Sequence, residues 1–211
     1  MKTRDRILKT ALTLFNEEGE ADQTAVDLAN VLEISPGNLY YHFKGKDAII
    51  KVLFDNFETE MRMILGGSDG AISNMEDQWV YTYILLEEIY DFRFFYRDLG
   101  VLLARYPELA VRFRGLLKEK RKTIGRLLDH LSTNEIIHID PVLTSLLSDQ
   151  ILATLTYWLS LDQIEGANLP PAHLIHRTVF QTMAMIVPYM GDDGSDMLQQ
   201  MLAHYEQAIA T

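Results

Sequence analysis

A short run of polar, aromatic and basic residues in the first quarter of the chain has the composition of a surface that grips a nucleic-acid backbone. Tyr40, Tyr41 and His42 stand side by side and are followed by Lys44 and Lys46. Hydroxyl, imidazole and ammonium groups donate hydrogen bonds to phosphate oxygens, and such contacts fix the position of a protein on a duplex. One short helix cannot bury all of these side chains, so we expect several of them to be exposed.

The residues just before this run favour a short helix whose first turn can come close to a base pair. Ser35 and Pro36 are typical of a helix N-cap and of the first helical position, which predicts a helix from Pro36 to about Phe43. Gly37 and Asn38 in its first turn are small. In a helix-turn-helix, the second helix lies in the major groove with its first residues near the base edges, and this segment has the residues for that role.

The rest of the chain has helical spacing of its apolar residues, which predicts an all-α protein. Thr24 and Asp27 form the pattern of a capping box that opens a second short helix, and a fourth helix is expected from Lys46 to about Leu65. We expect a helix-turn-helix DNA-binding domain over residues 1–46 and a larger ligand-binding and dimerisation domain over residues 47–211. Longer helices are predicted over residues 75–98, 107–131, 141–164, 172–190 and 195–209.

Composition narrows the function classes. The 211 residues include no cysteine and carry a net charge of −11, which excludes a thiolate zinc site and argues against a protein that coats DNA nonspecifically. No apolar stretch is long enough for a membrane helix, and the charged first residues do not form a signal peptide, so a cytoplasmic location is expected. No nucleophile–base pair and no convincing metal-ligand spacing is found, so we expect no catalytic residue, cofactor or metal.

Residues 34–47 resemble the recognition-helix signature of the TetR family of bacterial repressors, and residues 24–29 and 6–15 resemble the family's two preceding helices. The resemblance implies a ligand-responsive repressor that binds double-stranded operator DNA as a homodimer. By position, it implies phosphate contacts from Thr24, Ser35, Tyr41, His42 and Lys46. It also implies that four residues lie at the base edges: Pro36, Gly37, Asn38 and Tyr40.

One residue departs from the family pattern. Glu33 stands where the family usually has glycine, in the turn between the two short helices. A residue with a Cβ atom is disfavoured in the left-handed conformation. This substitution leaves open a differently built turn, with another angle between the two helices.

The segment over residues 79–96 is rich in aromatic residues and is interpreted as the wall of a ligand pocket, because such pockets combine aromatic surfaces with a few polar groups. The alternative is an ordinary aromatic core. In TetR-like proteins this region usually frames the inducer cavity. The residues expected to line the pocket are Trp79, Tyr83, Leu86, Tyr90, Arg93, Arg97 and Tyr157.

Residues 90–99, together with residues 1–8, also resemble a subgroup of the family that includes regulators of polyhydroxyalkanoate clusters. That likeness implies an acyl-CoA or fatty-acyl effector. Aromatic and methionine-rich walls suit an acyl chain, and arginines suit a phosphate or a carboxylate.

A single short helix reads too little sequence to find one operator, so such modules usually pair. In TetR-like proteins the last two long helices of each subunit form the dimer interface, and the segments 141–164 and 172–190 fall there. The alternative is that these residues form the core of one subunit. The predicted interface residues are Leu146, Asp149, Ala153, Thr156, Ser160, Val179, Thr182, Met183 and Ile186.

Two other function classes stay open at this point. The first is an all-α enzyme acting on an apolar substrate, which needs a positioned acid–base set. The second is a helical adaptor whose short helices bind another protein. Sequence-dependent DNA binding separates the repressor from both alternatives.

Overall fold

A computed structural model describes residues 2–67, 75–166 and 169–209 of the chain. Over these ranges the chain forms α-helices, two short 3-10 turns and no β-strand, so the predicted all-α class is confirmed. The helices are α1 (Thr3–Glu18), α2 (Ala25–Val31), α3 (Pro36–His42), α4 (Lys46–Gly66), α5 (Met75–Asp91), α6 (Phe94–Arg97), α7 (Leu99–Arg105), α8 (Pro107–Thr133), α9 (Pro141–Glu165), α10 (Pro171–Ala184) and α11 (Gly194–Ile209).

Local capping signals determine where the two short helices begin. The Thr24 hydroxyl accepts a hydrogen bond from the Asp27 backbone N–H at 3.2 Å, and the Asp27 carboxylate accepts one from the Thr24 N–H at 2.9 Å, so the predicted capping box is confirmed. The Thr24 hydroxyl also donates to the Asp27 carboxylate. This hydrogen bond and the one from the Thr24 N–H lower the pKa of Asp27. At the next helix, Ser35 Oγ accepts from the Asn38 N–H at 3.1 Å, and Pro36 is the first helical residue.

The turn between α2 and α3 keeps a left-handed residue although that residue is not glycine. Glu33 has φ of 55°. The Ile34 N–H donates to the Ala29 carbonyl and the Glu33 N–H to the Asn30 carbonyl, both at 3.0 Å. This pair of bonds is a Schellman motif, which satisfies the last carbonyls of α2. Glu33 thus forms this turn in the left-handed conformation although it is not glycine. The strain of that conformation falls on the Glu33 backbone.

This strain makes Glu33 a site where a substitution should stabilise the protein. We expect Glu33→Gly to raise the free energy of unfolding by about 0.5–1 kcal/mol, because relief of the left-handed strain exceeds the entropy that glycine gains in the unfolded chain. Urea unfolding measures the change. Glu33→Gln is the control for loss of charge and should leave stability nearly unchanged. A Glu33→Gly protein less stable than the wild type would contradict the assignment of strain.

The predicted helix over residues 75–98 is wrong in one respect, because it is interrupted after Asp91. The Asn16 side chain of α1 fills the break: its Nδ2 donates to the Asp91 carbonyl at 2.7 Å, and its Oδ1 accepts from the Phe94 N–H at 3.1 Å. The Arg97 guanidinium donates to the Asn16 carbonyl at 2.7 Å. Buried backbone groups need partners, so a side chain 75 residues away stabilises a break that local spacing does not reveal.

The predicted helix over residues 172–190 also ends early. Helix α10 stops at Ala184, and a 3-10 turn follows over Val187–Tyr189. Pro188 lies in that turn, and its missing N–H and fixed φ exclude an uninterrupted helix at this position. The other long helices begin and end close to the predicted residues.

Helix α4 contributes to both parts of the molecule. Its aromatic residues pack against α6, with the Phe54 and Phe95 ring centroids 5.4 Å apart and those of Phe57 and Tyr96 5.9 Å apart. Tyr96 in turn packs against Phe113 of α8 at 5.5 Å. Aromatic pairs at these distances each contribute about 0.5–1.5 kcal/mol beyond area burial. None of the described helices is both long and apolar enough to cross a bilayer.

Candidate nucleic-acid interface

Helix α3 is anchored from below and exposed at its leading turn. Leu39 is completely buried and Phe43 nearly so, and both belong to the hydrophobic core, where α3 packs against α2. On the outer side, Tyr41 is 80% exposed and Tyr40 is 47% exposed. The residues predicted to lie at base edges are all exposed: Pro36, Gly37, Asn38 and Tyr40. The result is a short helix whose leading side chains are all available to a partner.

The predicted phosphate contacts Tyr41 and His42 lie together at the end of α3. Their rings meet edge to face, with centroids 5.1 Å apart, and His42 is half-buried. The Arg4 guanidinium stacks over the Phe43 ring, 5.0 Å from its centroid, which places a further cation of α1 beside the same helix end. Both pairs of groups therefore lie at the C-terminal end of α3.

The two hydroxyl groups predicted to contact phosphates, those of Ser35 and Thr24, differ in whether the hydroxyl proton is free to form a hydrogen bond. The Ser35 hydroxyl accepts a backbone hydrogen bond, and within the described ranges no acceptor takes its proton, so it can donate to a phosphate. The Thr24 hydroxyl donates to the Asp27 carboxylate. A phosphate contact from Thr24 therefore requires this hydrogen bond to be exchanged.

In the structure, the Lys46 ammonium lies in a cluster of charged side chains around Glu20. This ammonium lies 2.8 Å from a Glu20 carboxylate oxygen and donates to the Glu20 carbonyl at 2.8 Å. Arg105 pairs with the same carboxylate at 2.9 Å, and the Tyr106 hydroxyl lies 3.1 Å from it. Glu20 is only 8% exposed, so this is a partly buried cluster in which one carboxylate pairs with two cations. A phosphate contact from Lys46 requires its ammonium to leave or share this ion pair, and the contact stays a prediction.

Lys44 is the lysine that this surface offers instead. It is exposed, and it forms no ion pair with any residue that the structure describes. The sequence alone does not distinguish the two lysines, because Glu20 lies 26 residues before Lys46 and no local spacing links them.

Three residues of the predicted ligand pocket line cavities, but not one shared cavity: Tyr83 and Tyr90 line one of about 530 Å³, and Tyr90 and Arg97 line another of about 300 Å³. None of the seven predicted residues lines the central cavity of the C-terminal helices. The residues of α5 that line this cavity are Gln78, Tyr81, Thr82 and Leu85. Trp79 and Tyr83 pack instead against His176, with ring centroids 6.3 and 4.8 Å away.

The other proposed pocket residues have different roles. Leu86 is buried in the core, and Tyr157 is exposed on α9. The Arg93 guanidinium stacks on Tyr90 at 4.6 Å and donates to its carbonyl. Arg97 holds the end of α1. The aromatic segment is therefore mainly core, which was the alternative interpretation.

The predicted dimer interface is partly wrong. Thr156, Val179, Thr182, Met183 and Ile186 are buried inside the single subunit, so they cannot form a surface between two subunits.

The remaining predicted interface residues lie on α9. Leu146, Asp149 and Ala153 are exposed, and Asp149 pairs with Arg121 at 2.6 Å. Ser160 is half-buried and donates to the Tyr96 carbonyl at 3.0 Å. Only the α9 part of the prediction is therefore compatible with an interface.

Comparison with known proteins agrees with this architecture. Residues 7–53 match the family described as bacterial regulatory proteins, tetR family, and residues 56–198 match the family TetR, bacterial transcriptional repressor. A crystal structure of a TetR-family transcriptional regulator from Marinobacter aquaeolei VT8 superimposes with a TM-score of 0.85 at 31% identity, covering 99% of both chains.

Two curated relatives are also similar. The biofilm operon icaADBC negative transcriptional regulator IcaR of Staphylococcus aureus is 32% identical over 109 residues, covering 50% of this chain and 55% of that protein. This chain thus spans about half the length of that relative. The transcriptional regulator UidR of Escherichia coli is 28% identical over 174 residues, covering 79% of this chain and 84% of that protein. The chain belongs to the TetR family of bacterial transcriptional regulators.

Proposed function

We propose that this protein is a ligand-responsive, sequence-specific DNA-binding repressor that acts as a homodimer in the cytoplasm. The observation that carries the proposal is the exposed leading turn of α3 above its completely buried anchor, Leu39. This arrangement is what a recognition helix needs in order to enter a major groove. Members of the family are transcription regulators, which decides against the enzyme and adaptor alternatives.

Selection of bound DNA from a random-sequence pool tests this function. We expect recovery of two similar half-sites in inverted orientation, about one helical turn or a multiple of it apart, because a symmetric dimer presents two copies of α3. A matched selection with a Tyr41→Ala, Lys44→Ala protein should yield weaker enrichment of the same sequence. Recovery of no common sequence would contradict the proposal.

Helix α9 supports the proposed dimer. Its exposed residues recur every three or four positions, which is the spacing of a helix seam that packs against another helix. Leu146, Tyr157 and Ile164 are 55%, 58% and 82% exposed, and the small Ala153 near the middle allows close approach. The exposed stripe consists of Leu143, Leu146, Gln150, Ala153, Tyr157, Leu161 and Ile164. A second copy of the chain covers this stripe in the proposed dimer.

Charge on this stripe should separate the subunits. We expect the double variant Leu146→Asp, Tyr157→Asp to be monomeric by light scattering, because association would bury unpaired carboxylates. Operator affinity should fall by at least about 100-fold, since each monomer then binds one half-site alone. Val111→Asp changes a residue that is 65% exposed on α8 and serves as the control. A double variant that stays dimeric would place the interface elsewhere.

The salt dependence of operator binding should distinguish Lys44 from Lys46. Each phosphate-bound cation contributes about 0.9 to the slope of log affinity against log salt. We expect Lys44→Gln to reduce the magnitude of the slope by about 2 per dimer, and Lys46→Met to change it much less because the ammonium is paired with Glu20. The wild-type slope should be well below 10 in magnitude, given the net charge of −11. Equal effects of the two substitutions would contradict this assignment.

The effector is proposed to be a small molecule with an apolar body, because the central cavity is walled mainly by leucine and isoleucine side chains. An acyl compound fits that description. Arginines suit a phosphate or a carboxylate, but the predicted pocket residues Arg93 and Arg97 do not line this cavity. The coenzyme A part of the hypothesis is therefore left without a phosphate site among the predicted residues.

A further inference from the structure

A lysine ammonium lies almost completely out of solvent among the C-terminal helices. Lys120 of α8 is 1% exposed. Its Nζ donates to the Tyr96 hydroxyl at 2.8 Å and lies 5.2 Å from the centroid of the same ring, and its other two N–H groups find no acceptor in the described ranges. A buried charge is costly unless it is paired, and burial lowers the pKa of Lys120 to about 7.

The carboxylate of Glu88 interacts electrostatically with the Lys120 ammonium but forms no ion pair in direct contact with it. Glu88 of α5 favours the charged form of Lys120 through its field, but among the described residues no ion pair within 4 Å joins the two. One carboxylate oxygen of Glu88 is itself buried without a hydrogen-bond partner. Lys120 thus lacks the counter-ion in contact that buried ammonium groups normally have.

The lysine lines the central cavity together with a second under-satisfied group. Gln78 of α5 is 8% exposed, and its Oε1 is buried with no hydrogen-bond partner within the described part of the chain. Three threonines, Thr82, Thr123 and Thr182, also line the cavity, and the remaining wall is largely apolar. Leaving a buried polar group unsatisfied costs about 1–3 kcal/mol. The Lys120 ammonium has N–H groups to offer to an acceptor, whereas the Gln78 oxygen accepts only and does not pair with an anion.

We propose that this cavity binds a small monocarboxylic acid with an apolar body, in which the carboxylate pairs with the ammonium of Lys120. The proposal rests on the ligand-responsive function inferred above and names the chemistry of its effector. A single ammonium balances one negative charge, so a monoanion matches the site better than a phosphate ester with about two. A neutral ligand would leave the ammonium without a counter-ion.

Entry of such a ligand has a structural consequence. The cavity has a volume of about 30 Å³, which is space for about two water molecules. An acid of about ten heavy atoms therefore enters only when the walls move apart. The walls include Leu65 at the end of α4 and residues of α5, α8, α9 and α10. Because α4 begins at Lys46, close after α3, the ligand acts on a helix that also supports the DNA-binding surface.

Calorimetric titration with hexanoate and octanoate, compared with hexanol and octanol, tests the proposal. We expect each acid to bind about 10- to 100-fold more tightly than the alcohol of equal chain length, since hydrogen bonds to charged groups are stronger than neutral ones. Binding at pH 8 should take up protons, measured in two buffers of different ionisation enthalpy, because the carboxylate stabilises the charged form of Lys120. Acids that bind no more tightly than alcohols, or that show no binding at millimolar concentration, overturn the proposal.

Variants separate this inference from the function on which it rests. Lys120→Met should remove the preference for acids, whereas Lys118→Met on the exposed side of the same helix should keep it. Unchanged acid binding by Lys120→Met overturns the proposal; if that variant does not fold, the comparison of acids with alcohols on the wild type still decides. Operator binding without acid should be the same in Lys118→Met and the wild type. A wild-type protein that binds acids but no DNA would instead contradict the proposed function.

Discussion

The Gly37→Ala protein is expected to fold at least as stably as the wild type and to bind its operator roughly 10²- to 10⁴-fold more weakly. An added Cβ at position 37 meets only the Ser35 hydroxyl, at 3.9 Å, which is ordinary contact. Alanine also has the higher helix propensity, so the free protein has no reason to lose stability. At the DNA, a methyl group on the first turn of α3 holds the helix away from the base edges. A cost of about 1–3 kcal/mol at each half-site is doubled in a dimer.

Paired measurements make this result specific to the interface. Thermal unfolding reports the stability of the variant, and fluorescence anisotropy with labelled operator reports its affinity. Gly100→Ala is the matched control, because Gly100 is an exposed residue of α7 with no atom within 4 Å of an added Cβ; it should keep the wild-type affinity. If Gly37→Ala binds within about threefold of the wild type, the first turn of α3 does not approach the bases closely.

Lys120→Met is expected to raise the free energy of unfolding at pH 7 by about 1–4 kcal/mol, since an apolar side chain of similar length replaces a buried charge. The pKa of Lys120 is about 7 in the folded protein and 10.5 in the unfolded chain. Between these values the unfolded chain binds more protons, so the wild type gains stability from this group as pH rises from 7 towards 10. The advantage of the methionine variant should shrink over the same range.

Glu88 contributes a trend of opposite sign at lower pH. Burial raises its pKa to about 7 from 4.5, and the nearby charges of Asp91 and Glu60 act in the same direction. The folded protein then holds the extra proton between pH 4.5 and 7, so this group lowers stability as pH rises through that window. Urea unfolding from pH 5 to 10 measures both trends, with Lys118→Met as control. A constant difference between Lys120→Met and the wild type across pH 7–10 would contradict the assigned pKa of Lys120.

The sequence predicted those features whose causes lie within a few residues of each other. Thr24 and Asp27 are three positions apart, and so are Ser35 and the N–H that it caps at Asn38. Both helix starts and the exposed face of α3 follow from these local interactions and from the buried position of Leu39. The family resemblance adds which residues of that face meet bases or phosphates, and those roles stay predictions.

Features that depend on distant contacts could not be predicted. Asn16 breaks the helix after Asp91, and Glu20 pairs with Lys46, through contacts between segments 75 and 26 residues apart. An aromatic stripe on α5 shows that one face is buried but not which neighbour covers it. For that reason the stripe predicts Tyr83 as a residue of the ligand pocket, whereas in the structure the adjacent Thr82, and not Tyr83, lines the central cavity.

Chemical footprinting of the protein on an operator selected from random DNA tests directly whether α3 enters the major groove. We expect protection of guanine N7, a major-groove atom, in two clusters on one face of the duplex, about one helical turn or a multiple of it apart. The Gly37→Ala protein should lose this protection of guanine N7. At higher protein concentration it should still protect some of the flanking phosphates. Protection confined to minor-groove atoms, or a single cluster without a partner, would contradict the placement of α3 in the major groove.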